Sequence, residues 1–161
     1  MSEQLENTVR EMLKEETWTR TGITNFTKTN LTELETILNE ARSQNCENEI
    51  KNICDEQLSH SKDSTVALYL SGMIAIRQGS IDTSSIVLLT EIFEKNHKEA
   101  LIEEICNFIL AEDPQNKFAL RKIAEFYKNS NDDRVWDYYE QIVKVDFNEA
   151  DIAKVDRKSV V

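Results

Sequence analysis

Glycine and proline are scarce in this sequence, which has three Gly and one Pro among its 161 residues. A β-sheet protein needs turn residues at intervals of about 8–12 positions, and this chain has too few of them to supply such turns. Connections between packed helices need fewer turn residues. Because 40% of the residues are apolar, there is enough material for a core. The composition therefore excludes a β-sandwich or barrel and favours an all-α fold.

Basic residues are also few, since 19 Lys and Arg stand against 30 Asp and Glu, for a formal net charge of −11. Affinity for DNA or RNA rests on cations that neutralise phosphates, so we expect no direct binding of nucleic acid. The charge is typical of a solvated, self-repelling surface. Attraction to a basic protein surface is the alternative interpretation.

The cysteines are three, an odd number. Cys46 and Cys54 fall on one predicted helix, roughly 12 Å apart along its axis, which exceeds the ~7 Å between Cα atoms that a disulfide allows. Cys106 is the third, and all three lie on apolar faces. We interpret them as small buried apolar residues of a protein in a reducing, cytoplasmic compartment.

Segments that would direct the chain to a membrane are missing. The opening MSEQLENTVREML has neither the basic region nor the apolar region of a signal peptide. The most apolar stretch, residues 66–76, is much shorter than the ~20 residues that a membrane-spanning helix needs. We expect no membrane association.

Residue patterns for catalysis, metals and cofactors are missing as well. His60 and His97 have no second His or Cys ligand three or four positions away. Cys106 and His97 belong to one helical region and face different ways, so they do not make a nucleophile–base pair. The glycines form no phosphate-binding loop. We therefore expect no enzymatic activity, no cofactor and no metal.

Apolar residues recur at helical spacing along nearly the whole chain. The pattern predicts nine helices. The first is capped by Ser2, the second starts with a capping box of Asn30 and Glu33, and Gly79 ends the fourth. The ninth begins at about Asn148.

The predicted domain organisation follows from these helices. Residues 1–29 form an N-terminal helix and a Thr-rich connection, and residues 30–155 form a helical-repeat domain. Residues 156–161, in the ending DRKSVV, are interpreted as a truncated or non-native tail. This ending has no cap, and Ile152 and Val155 would be half covered, so we expect the chain to be part of a longer protein.

A repeat of about 34 residues separates the helices that start near residues 83, 117 and 149. DPQNKFALRKIAEFY resembles the first helix of a tetratricopeptide repeat, and VWDYYEQIVKVD resembles the second. The expected architecture is an array of antiparallel helix hairpins, a tetratricopeptide-like solenoid.

The eighth predicted helix carries most of the aromatic residues near the C-terminus. Trp136, Tyr139 and Val143 share one of its faces, and we assign this face to the core of the repeat. Tyr138 points elsewhere and is our candidate for a concave protein-binding surface, since aromatic residues are enriched at binding hot spots.

The densest basic group lies on the seventh predicted helix. A solvated face is one interpretation of this group, and a carboxylate-binding groove is the other. Arg121 and Lys128 join Tyr138 as predicted protein-binding residues. The whole group consists of Lys117, Arg121, Lys122 and Lys128.

Two stretches, MSEQLENTVREMLKEETWTRTGITNFT and DPQNKFALRKIAEFYKN…VWDYYEQIVKVDFNEADIAK, resemble the N-terminal extension of the long spirochaete GreA-type transcription elongation factors. In that family the extension precedes a coiled coil that enters RNA polymerase and promotes cleavage of backtracked RNA through acidic residues at its tip. No helix predicted here is long enough for that coiled coil, so no functional residue is carried over.

The resemblance implies a protein-interaction scaffold segment that contacts RNA polymerase or an associated transcription protein. Two alternatives remain, namely a peptide-binding adaptor or chaperone-like assembly factor, and a regulatory helical domain of an enzyme whose catalytic part is absent. The reading frame downstream of residue 155 would distinguish the three. The sequence indicates no particular oligomeric state.

Overall fold

The computed structural model describes residues 2–16, 26–80 and 82–147, and these segments are helical with no strand among them. The predicted all-α class is confirmed, while the predicted ninth helix and most of the Thr-rich connection lie outside the described residues. Eight helices are described: α1 Glu3–Glu16, α2 Lys28–Ser43, α3 Glu47–His60, α4 Thr65–Arg77, α5 Ser84–Lys95, α6 Glu99–Glu112, α7 Lys117–Asn129 and α8 Val135–Phe147.

The chain divides into two compact units, residues 1–104 and residues 105–161. The first unit contains α1 to α5 and the start of α6. The second contains the rest of α6 with α7 and α8. The domain boundaries at residues 29 and 155 stay predictions.

Helix α4 is the centre of the first unit, where it contacts α1, α2, α3 and α5. Its sequence TVALYLSGMIAIR is apolar on every side, and such a helix is stable only when neighbours surround it. Leu70, Met73 and Ile74 are accordingly fully buried. The four contacting helices supply the partners that this sequence requires.

A glycine allows α5 to approach α4 closely. A Cβ atom added at Gly72 would lie 2.7 Å from side-chain atoms of Ile86 in α5, which is well inside van der Waals contact. The missing side chain at Gly72 therefore lets these two helices approach each other closely.

The helix ends show which capping predictions hold. The Ser2 hydroxyl accepts a hydrogen bond from the Leu5 N–H at 3.2 Å, as expected. Gly79 follows α4 with a φ of +80°, a conformation that favours glycine. The predicted start of α2 is wrong, because that helix begins at Lys28 and Asn30 lies in its first turn. Asn30 Oδ1 accepts a hydrogen bond from the Thr27 N–H at 2.8 Å, so Thr27 takes the capping position.

Candidate protein-interaction surface

Contacts with Tyr127 fix the conformation of the turn between α7 and α8. The Arg134 guanidinium lies 4.3 Å from the ring centroid of Tyr127, and its Nη2 is 2.7 Å from Oδ2 of Asp132. The hydrogen bonds from the Arg134 side chain and backbone hold the pKa of the Asp132 carboxyl below its usual value. The Asp132 N–H donates to the Tyr127 carbonyl at 2.9 Å. Asp132 and Arg134 therefore both contact Tyr127.

One face of α8 packs on α7. Val135 and Val145 are buried on it, and the ring of Tyr138 lies 5.5 Å from that of Tyr127. Ile142 and Val145 line a narrow cleft with Leu120 of α7. The inward positions of α8, residues 135, 138, 142 and 145, follow the spacing of a single helical stripe.

The next stripe of α8 faces outward, so the assignment of Trp136 and Val143 to the core is wrong. Trp136 is 69% exposed and Val143 is 45% exposed. Tyr139 is half-buried, and its ring meets that of Trp136 edge-on with centroids 5.7 Å apart. We call Trp136, Tyr139 and Val143 the α8 outer face.

The error has a physical cause. The two stripes differ by one position, or ~100° of rotation about the helix, and both are apolar. Within the described residues, α7 covers the stripe that contains Tyr138. An apolar pattern on two faces of one helix was the signal that could have identified the α8 outer face.

The three predicted binding residues all belong to the second unit. Tyr138 is half-buried against Tyr127. Arg121 is exposed and lines the cleft between α7 and α8, whereas Lys128 is exposed in the last turn of α7. A role for these residues in protein binding stays a prediction. Trp136 offers a larger exposed aromatic surface than Tyr138 does.

The part of the chain that the structure describes contains no group of three or more His, Cys, Asp or Glu side chains able to hold a metal ion. Within those same residues, no helix is long and apolar enough to cross a membrane. The buried thiols of Cys46, Cys54 and Cys106 lie in the core.

Two spirochaete proteins are similar to this chain. It is 39% identical over 133 residues to a protein of Treponema pallidum (strain Nichols) named for GreA-associated domains. It is 29% identical over 139 residues to the transcription elongation factor GreA of Borreliella burgdorferi. The chain is homologous to these spirochaete proteins.

The matches cover most of this chain but little of its relatives. They include 83% and 86% of the chain, which spans 20% of the Treponema protein and 15% of the Borreliella protein. No protein-family model matches the chain, and no solved structure matches it.

Proposed function

We propose that this chain is a protein-interaction segment of a GreA-type transcription elongation factor, arranged as a tetratricopeptide-like repeat array and acting in the cytoplasm without catalysis of its own. Its partner is RNA polymerase or a protein associated with it. The homology to GreA and to a GreA-associated protein supports the process. The α8 outer face supports the mode of action.

The exposure of Trp136 is the main support for a protein-binding role. A tryptophan that is 69% exposed leaves a large apolar area in water, and each Å² of such area costs about 25 cal/mol relative to burial. Tyr139 and Val143 extend this area along the helix. Trp and Tyr are the residues most enriched among those that dominate binding energy.

Charged side chains border this face on the same helix. Glu140 and Lys144 form an ion pair at 3.4 Å with both side chains largely exposed. An apolar centre with a charged rim is the usual anatomy of a protein–protein interface. The α8 outer face therefore has the composition of a docking site for another protein.

Binding to purified RNA polymerase tests the proposal directly. The whole chain, immobilised on a sensor, is expected to bind the polymerase core enzyme, and Trp136→Ala is expected to weaken that binding about 30-fold. Leu88→Ala is the matched control, since Leu88 is another large apolar residue that is 37% exposed but belongs to α5. Its affinity is expected to match that of the unaltered chain.

Two results would contradict the proposal. One is the absence of binding to the polymerase and to its associated transcription factors. The other is an equal effect of Trp136→Ala and Leu88→Ala, which would show that the α8 outer face is not the contact. The chain alone is also expected not to stimulate RNA cleavage in stalled polymerase complexes.

A further inference from the structure

An open groove of about 540 Å³ lies between α1 and α2 in the first unit. Leu5 and Ile37 lie at its floor, with 2% and 5% of their surface exposed. Met12 is half-buried beside them. At one end, the backbone N–H of Ser2 donates a hydrogen bond to Gln44 Oε1 at 2.9 Å and links the two walls.

The charged residues that line the groove in the described part of the chain are both acidic. The wall formed by α1 presents the uncharged side chains of Gln4 and Thr8, whereas the wall formed by α2 presents the exposed carboxylates of Glu33 and Glu40. Within residues 2–16, 26–80 and 82–147, no Lys or Arg lines it. A ligand that fills the groove therefore approaches two negative charges, with no cation of the described residues beside them.

The two carboxylates are placed regularly. Glu33 and Glu40 are seven positions apart in α2, so they lie on one side of the helix, roughly 10.5 Å from each other along its axis. Neither forms an ion pair with another described residue, in contrast to Glu35, whose carboxylate lies 3.1 Å from Arg77. Thr36 lies between Glu33 and Glu40 on the same wall.

We infer that this groove binds a cationic amphipathic helix of a protein partner. Lys or Arg residues at positions i and i+7 of that helix would meet Glu33 and Glu40, since a second helix repeats at the same ~10.5 Å over seven residues. An apolar residue at i+3 or i+4 would then lie over Leu5 and Ile37. A third helix in the groove of a helix pair is a common recognition mode.

This inference goes beyond the proposed function and does not depend on it. The groove belongs to the first unit and the α8 outer face to the second. The inference also agrees with the alternative interpretation of the net charge of −11, which was attraction to a basic protein surface. Opposite charges speed encounter and orient partners before apolar contacts form.

A synthetic helical peptide serves as the probe. It carries Lys at i and i+7, Leu at i+3 and i+4, a fluorescein label, and Ala and Gln elsewhere. Fluorescence anisotropy with the whole chain is expected to show saturable binding that weakens as salt rises. The same peptide with Glu in place of Lys is expected not to bind, and an extended Pro-containing peptide with two Lys at a matching distance is expected to bind less well.

Substitutions separate the groove from the net charge. The double variant Glu33→Gln/Glu40→Gln is expected to raise the Kd about fivefold, as the loss of two exposed ion pairs implies. Glu56→Gln/Glu91→Gln removes the same charge from exposed positions of α3 and α5 and is expected to change the Kd little. An equal effect of the two double variants would overturn the inference.

Two further measurements locate the peptide. In Thr36→Lys, the new cation can pair with Glu33 and Glu40 within the helix, so the Kd is expected to rise by up to about fivefold while the helical circular dichroism is kept. The methyl resonances of Leu5, Met12 and Ile37 are expected to shift on titration with the peptide. Binding that leaves these methyl groups unshifted, or a Kd that Thr36→Lys leaves unchanged, would also overturn the inference.

Discussion

The guanidinium of Arg77 in α4 lies 3.1 Å from the carboxylate of Glu35 in α2. The Arg77 side chain is 2% exposed and that of Glu35 is 15% exposed. The same carboxylate accepts a hydrogen bond from the Tyr69 hydroxyl, and Arg77 Nη2 also donates to Asn39 Oδ1 at 3.3 Å. One carboxylate thus connects α2 to two residues of the central helix.

Removing that carboxylate is expected to destabilise the first unit. Glu35→Ala leaves the Arg77 cation and the Tyr69 hydroxyl without this acceptor in a buried place, which typically costs about 3 kcal/mol. The free energy of unfolding, measured in urea by circular dichroism, should fall by that amount. Glu33→Ala, at an exposed position of the same helix, should change it by less than about 0.5 kcal/mol. Equal effects would show that the Glu35 contacts contribute little.

Tyr69 makes the first unit less stable at alkaline pH. Burial raises the pKa of its hydroxyl well above the usual value of 10.0, and the nearby Glu35 carboxylate raises it further. Because the folded pKa is the higher one, the stabilisation is complete below about pH 10. It is lost as the pH rises through the folded pKa.

Spectrophotometric titration checks this dependence. The contribution of Tyr69 to the tyrosinate absorbance is the difference between the unaltered chain and Tyr69→Phe. We expect this difference to appear only at the pH where the helical circular dichroism is lost. If Tyr69 ionised near pH 10 in the folded protein, the description of its surroundings would be wrong.

Gly72 is expected to tolerate no larger residue while Ile86 is present. Gly72→Ala would place a Cβ 2.7 Å from Ile86, and overpacking of this kind costs about 2 kcal/mol of unfolding free energy. In the background Ile86→Val, part of that cost should disappear, which gives a coupling energy of about 1 kcal/mol in a double-mutant cycle.

The control for Gly72 is another glycine. A Cβ at Gly79 would meet no atom within 4 Å, but its φ of +80° strains any larger residue. Gly79→Ala should therefore destabilise the protein by about 1 kcal/mol, and Ile86→Val should not relieve that cost. If Ile86→Val lowered the cost of both Gly72→Ala and Gly79→Ala, its effect would not come from the space that it opens beside Gly72.

The sequence predicted local features better than the packing of helices on one another. Ser2 and Gly79 mark helix ends because capping depends on residues within one turn. The outward face of α8 was missed, because two apolar stripes lie side by side and only tertiary structure decides which one α7 covers. The α1–α2 groove was missed for a related reason. Its floor combines Leu5 with Ile37, and the sequence does not state how two separate helices align.

The chain is expected not to bind DNA or RNA at physiological salt. Binding would require several cations able to neutralise phosphates, and many cations of the described residues are already paired with carboxylates. These pairs are Arg10 with Glu6, Lys28 with Glu104, Lys51 with Asp55, Arg134 with Asp132, and Lys144 with Glu140.

Electrophoretic mobility shift with single- and double-stranded probes measures this, and Lys128→Glu provides the comparison. Lys128 is exposed on α7, in the densest basic group of the chain, so a phosphate contact there would be lost in the variant. We expect no shift for either protein. Micromolar binding that weakens with added salt, and weakens further in Lys128→Glu, would show that this basic group outweighs the net charge of −11 and binds phosphates.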